Sequence, residues 1–566
     1  MVLAADAQLR LDANWVDYLI VALYFAFVIG IGVMAKRSVS TSIDFFLSGR
    51  SLPAWVTGLA FISANLGAVE IMGMSANGAQ FGIPTVHYFW VGAVPAMLFL
   101  GVVMMPFYYG SKVRSVPEFM RKRFGTGAHL VNAISFAVAQ LLIAGINLFL
   151  LAKIVNILLG WNLYISLVVA AVIVLSYITL GGLSAAIYNE VLQFFVIVAA
   201  LLPLTLVGLH KVGGYGGLKD KIMAAGNGDA QLNSWPGTNL TAIDNPVLSV
   251  IGIVFGLGFV LSFGYWTTNF VEVQRAMASS SISAAQRSPI IGAFPKMFVP
   301  FIVIFPGMIA AVVASEVAQA KSSGDKTFDY NNSLLYLIRD LLPNGMLGIA
   351  IAGLLASFMA GMAANISAFN TVFSYDLWQT YVVKDRNDEY YLRIGRFATV
   401  AATVVALGTA LIARNYQNIM DYLQTLFGFF NAPLFATFIL GMFWKRMSPT
   451  AGWAGLVSGT LAAVFVGVIS TDVLGGASIG LIGLTGQGAS FVAAGAAFVV
   501  DILVSVVVTM VTSPKPESEL RGLVYSLTPR ADFHDENEGA LAWYQQPNKL
   551  AGVGFVLVII LNIVFW

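Results

Sequence analysis

The stretch FISANLGAVEIMGMSANG, residues 61–78, decides how the chain is read. It lies within a long apolar run, yet it holds two glycines ahead of its last residue, two asparagines and one carboxylate, Glu70. A charge near a bilayer centre costs at least ~2.5 to 3.5 kcal/mol, so such a group faces a polar cavity or a partner. A helix interrupted in this way also exposes backbone groups that only a cavity or a neighbouring helix can satisfy.

The rest of the chain fits that reading. Of its 566 residues, 58% are hydrophobic and only 10% are charged, which excludes an ordinary soluble globular protein. A polytopic membrane protein is expected, in contact with membrane lipid. The net charge of +2, spread over loops, argues against a nucleic-acid partner. The chain has no cysteine, so disulfides, thiolate metal sites and cysteine lipidation are excluded. It also lacks any HExxH or phosphate-binding glycine loop, and no nucleophile, base and orienting group recur together, so an enzyme or an ATP-driven pump finds no support. No cofactor is expected.

At ~20 apolar residues per crossing, about fourteen transmembrane segments are expected. They divide into a peripheral first helix at 15–35, a block at 54–209, a block at 246–444 and accessory helices over 450–566. Most of the Lys and Arg fall on the loops of one face, which places both termini outside a cell membrane by the positive-inside rule. The second segment, with SANLGAVE, and the seventh, with LSFGYWTTNF, are both interrupted by glycine and polar residues. Interruptions at matching positions of two five-helix halves point to a transporter site built from inverted repeats.

Several runs resemble the sodium:solute symporter family, in particular its sodium/sugar cotransporter branch. They are DFFLSGRSLPAWVTGLAFISANLGAVEIMGM from Asp44, SVPEFMRKRFG from Ser115, GGLSAAIYNEVLQFF from Gly181, VQRAMASSSISAAQ from Val273, GAFPKMFVP from Gly292, ANISAFNTVFSYDLW from Ala364 and GMFWKRMSPTAGWAGLVSG from Gly441. The resemblance implies an all-α, leucine-transporter-like fold with two inverted five-helix repeats. It also implies symport of a sugar or polyol by alternating access, with Na+ as coupling ion. Asn65, Tyr265, Lys296 and Gln424 match the sugar-site pattern, with Tyr265 closing the inner exit. Tyr88, Ser262 and Trp266 join them as candidate substrate contacts. Glu70 stands where the branch has a neutral hydrogen-bonding side chain, Phe89 where it has glutamate, Gly92 where the bacterial pattern has serine, and Ser262 where it has asparagine. Glu70 is expected to supply from another wall the carboxylate that Phe89 lacks.

The ion site departs further. Its backbone carbonyls map to Ser63, Leu66 and Ser357, and its hydroxyl pair maps to Ala360 and Gly361, which have no side-chain oxygen. Glu190 matches an acidic position near a sodium route. These departures leave two alternatives open: H+ coupling or facilitated transport of a sugar or small carboxylate, with Glu70 or Glu190 carrying the proton, and a transporter-like sugar sensor.

Overall fold

The computed structural model describes residues 9–566 except 37–45, 47, 227, 236–239, 326, 415, 417, 472–477, 530, 531, 533, 534 and 536–540. Asp44 of the first matching run lies outside the described residues. The described chain is helical, with one isolated bridge between Leu52 and Ser279.

The helices that position the site are α1 (Trp15–Lys36), α2 (Ala54–Asn65), α3 (Val69–Phe81), α4 (Ile83–Gly110), α5 (Thr126–Leu159), α6 (Leu163–Val212), α7 (Pro246–Thr268), α8 (Phe270–Met277), α9 (Ile282–Val313), α10 (Met346–Val382), α11 (Asp388–Ala413), α12 (Ile419–Phe443), α13 (Pro449–Ile469), α14 (Gly486–Val511) and α15 (Pro547–Val564). Among the described residues, twelve helices are long and apolar enough to cross a membrane, and α2 with α3, bent by 57°, adds a thirteenth. The expected count of about fourteen is not reached on this measure. The segments expected over 163–180 and 184–209 both fall in the 50-residue helix α6, of which Leu183–Val212 is long and apolar enough to span.

At the core, α9 lies along both α2 and α3, while α10 packs against α5 and α6. Small residues allow the first of these contacts. A Cβ at Gly78 would run into the Ile304 carbonyl, and one at Gly307 into that of Ser75. The Ser75 hydroxyl donates to the Val303 carbonyl at 2.6 Å. In a membrane, where helix association gains little from hydrophobicity, such backbone proximity and interhelical hydrogen bonds hold the bundle together.

A short amphipathic helix, Val116–Phe124, fixes the end of α12. Ser115 caps it by accepting from the Glu118 amide at 3.0 Å. Its Arg123, fully buried, donates to the carbonyls of Gly441 (2.8 Å), Trp444 (3.1 Å) and Met447 (3.1 Å). These include carbonyls that the end of α12 leaves without a helical donor, and a cation suits that end of the helix dipole. Burial pulls the Arg123 pKa down only to about 10, so it stays cationic at neutral pH.

Candidate functional site

The break predicted in residues 61–78 falls at Leu66–Ala68. The backbone leaves the helix at Leu66 (φ −71°, ψ 43°), whose amide still donates to the Ile62 carbonyl at 3.0 Å. The chain then resumes through a wide helical turn, Val69–Gly73, that carries Glu70. Gly67 at the break lies directly against Gly361 of α10, an approach that side chains on either would obstruct. The second interruption falls near the end of the expected stretch LSFGYWTTNF. Residues of LSFGYWTT remain helical, and the chain departs from the helix only at Asn269 (φ −71°, ψ 117°), whose side chain caps α8 by accepting from the Val271 amide. An asparagine cap satisfies the first free amide of a new helix, which is why the break settles there.

Between these two breaks lies a cavity of about 780 Å³, its mouth included. Asn65, Glu70, Tyr88, Ser262, Tyr265, Trp266, Lys296 and Gln424 all line it, together with Phe89. At its centre the Lys296 ammonium of α9 donates to Glu70 Oε1 at 2.6 Å and to Asn65 Oδ1. The same ammonium sits over the rings of Phe89 (4.9 Å) and Trp266 (5.2 Å). One carboxylate, one amide oxygen and two aromatic faces therefore surround the ammonium, a combination of ion pairing and cation–π attraction. Glu70 thus places a carboxylate in the cavity from the α3 wall, where Phe89 also lines it.

Asn65 extends the network to the far end of the cavity. Its amide donates to the Tyr265 hydroxyl at 3.0 Å, and that hydroxyl donates to Glu272 Oε1 of α8 at 2.6 Å. Tyr265 also packs on Phe427 of α12, with ring centroids 4.5 Å apart. One side chain consequently joins α2, α7, α8 and α12. Gln424, one turn from Phe427, is buried in the same wall.

Other positions gain a physical reason. A Cβ at Gly92 would collide with Ser262, so the glycine at the one position makes room for the serine at the other. The Tyr88 hydroxyl donates to Gln487 Oε1 of α14 at 2.6 Å. Gln487 in turn donates to Asn77 of α3 at 2.9 Å.

At the expected ion site, Ser63 and Leu66 stand at the break in α2, and Ser357, Ala360 and Gly361 lie on α10, with Gly361 against Gly67 of the break. The hydroxyls of Ser63 and Ser357 are fully buried and have no hydrogen-bond partner. Glu190 is not part of this cluster. Its two oxygens meet Arg275 of α8 at 2.6 and 3.3 Å, with both side chains wholly buried. Polar residues at the site that the sequence reading did not single out include Glu272, in a short helix after the second break, and Asn147, a lone amide in the apolar run LLIAGINLFLL of α5. The isolated asparagine was a legible signal, since buried amides in membrane helices require partners.

Comparison with known proteins agrees with this architecture. A sodium/glucose cotransporter of Vibrio parahaemolyticus is 28% identical over 475 residues, covering 80% of this chain and 85% of that protein. A sodium/glucose cotransporter 4 of Danio rerio is 30% identical over 501 residues, covering 84% and 74% respectively. The solved structure of a Na+-coupled sialic acid symporter, in a substrate-bound outward-open state, superposes with a TM-score of 0.74 at 18% identity, covering 88% of this chain and 98% of that one. This likeness shows a shared fold: the protein is an all-α polytopic membrane protein with a leucine-transporter-like fold. The model of the sodium:solute symporter family matches residues 45–459. With that match running over most of its length, the chain belongs to the sodium:solute symporter family and is a transporter, not an enzyme.

Proposed function

We propose that the chain is a Na+-driven symporter of an uncharged sugar or polyol, working by alternating access around the central cavity. Residues 54–209 and 246–444 act as the two inverted repeats, in a cell membrane with both termini extracytoplasmic. Asn65, Glu70, Lys296 and Gln424 hold the solute's hydroxyls, and Trp266 and Tyr265 cover its apolar face. Ser63, Leu66 and Ser357 contribute oxygens to the cation.

The observation that carries the solute class is the Lys296–Glu70 pair at 2.6 Å inside the cavity. The lysine's charge is already compensated, so the cavity offers a zwitterionic set of donors and acceptors with no net charge. Hydroxyl groups, which both donate and accept, match that set. An anionic solute would meet the Glu70 carboxylate and gain little from a lysine already engaged. The sodium/glucose transport named for the Vibrio parahaemolyticus and Danio rerio relatives supports the same assignment.

Proton coupling through Glu70 or Glu190 has weaker support, because each carboxylate is held by a basic partner. Uptake of labelled hexoses into proteoliposomes, with Na+ and H+ gradients imposed separately at a clamped potential, tests the reading. Accumulation driven by Na+ alone is expected. Accumulation driven only by H+, Na+-driven uptake of a carboxylate but of no neutral sugar, or binding without net flux would overturn it.

A further inference from the structure

The cation site lacks the two hydroxyls of the sodium/sugar pattern at Ala360 and Gly361, and the neighbouring helix offers another oxygen. A Cβ built on Gly361 would lie 2.8 Å from Asn147 Oδ1 of α5 and 3.1 Å from the Gly67 Cα. One built on Gly67 would lie 3.2 Å from the same oxygen and 3.2 Å from the Gly361 Cα. The Asn147 amide oxygen therefore sits in the notch between the break after α2 and helix α10, where a side chain on residue 361 would begin.

Asn147 is 3% exposed. Its amide nitrogen donates to the Ile143 carbonyl one turn back at 3.2 Å, which turns the oxygen toward the notch, and that oxygen has no donor. Two more unpartnered oxygens, the Ser63 and Ser357 hydroxyls, lie one helical turn before Gly67 and Gly361 on their own helices. The end of α2 also frees its last carbonyls. A buried amide oxygen without a donor is unfavourable unless something positive meets it, and hard cations are held by such amide and backbone oxygens.

We propose that Asn147 Oδ1 is a ligand of the coupling cation, replacing the hydroxyls absent at Ala360 and Gly361. The inference rests on the sodium-coupled reading above. It also accounts for the glycine: with Asn147 in this pose a serine at 361 has no room, so the amide on α5 and the missing side chain on α10 are two halves of one exchange.

The test is Na+ binding to the purified full-length protein, read both as 22Na+ binding and as the shift in melting temperature when Na+ replaces choline. Asn147→Leu keeps the volume and removes the oxygen, and an apparent Na+ affinity at least about tenfold weaker is expected. Asn147→Asp retains an oxygen and adds charge, so binding is expected to tighten. Asn147→Ala with Gly361→Ser empties the notch and returns a hydroxyl to it, and recovery toward the wild-type affinity is expected. Asn147→Leu binding Na+ within about twofold of wild type would overturn the assignment. If that variant does not fold, unchanged affinity in Asn147→Asp would overturn it instead. Absence of any Na+ response in the wild-type protein would overturn the sodium-coupled reading itself, a separate and distinguishable failure.

Discussion

On one side of Asn65 the Lys296 ammonium and the Glu70 carboxylate answer each other, and on the other side oxygens stand without donors. Toward α9, Lys296, Glu70, Asn65 and Tyr265 satisfy one another in a continuous chain. Toward α10, the oxygens of Ser63, Ser357 and Asn147 are buried without a partner. A self-satisfied wall exchanges its internal bonds for those of a neutral ligand at little cost, whereas orphaned oxygens favour a cation. On the proposed reading, these two parts of one cavity wall take different ligands.

The contrast is broken most severely by removing half of the Lys296–Glu70 pair. Lys296→Met should abolish uptake and lower stability by ~3 to 5 kcal/mol, the usual cost of leaving a buried charge uncompensated. Thermal unfolding and uptake measured on the same preparation would show it. Glu70→Gln combined with Lys296→Gln should recover much of the lost stability, because no charge is then stranded. A double variant as unstable as the sum of the single ones would mean that the two groups do not act as a pair.

Tyr265→Phe comes next. It deletes the hydroxyl that joins Asn65 to Glu272, a loss of ~1 to 3 kcal/mol in the state that closes this end. Raised solute leak in the absence of Na+, with a smaller change in melting temperature than for Lys296→Met, is the expected result.

Glu272 gives a pH signature. Burial pushes its carboxyl pKa up from the usual 4.5 to about 7, against the opposing effect of its bond from Tyr265. The folded chain therefore holds the proton more tightly than the unfolded chain. Its contribution to stability is complete in acid below the ordinary carboxyl pKa and is lost as pH rises through about 7. The melting temperature should fall between pH 6 and pH 8, and Glu272→Gln should flatten that slope. At the small end, Glu389→Gln breaks only the exposed pair with Arg393, and its melting temperature should stay within about 1 °C of wild type.

Much of the fold was legible in residue order alone. Long apolar runs marked the helices, and the glycine and polar residues of 61–78 marked the break, because a membrane helix loses its hydrogen bonds only where a cavity or neighbour replaces them. Glu70 and Lys296 stood out for the same reason, as charges where hydrocarbon would not tolerate them. Helix count was less secure, since hydropathy cannot tell two spans from one long helix such as α6. In the seventh segment the break falls within LSFGYWTTNF, at Asn269, while the polar residues before it stay helical.

What the sequence determined by itself is the class of protein, the bent second span and the charged residues that its bilayer setting makes conspicuous. Only the tertiary structure decided who meets whom: Glu70 with Lys296, Glu190 with Arg275, Ser262 against Gly92 and Asn147 against Gly361. Hydropathy and glycine placement act along the chain, over a few turns of one helix. Contacts between residues hundreds of positions apart depend on how each helix is rotated and how closely two backbones approach, and those are set by the packing of the whole bundle.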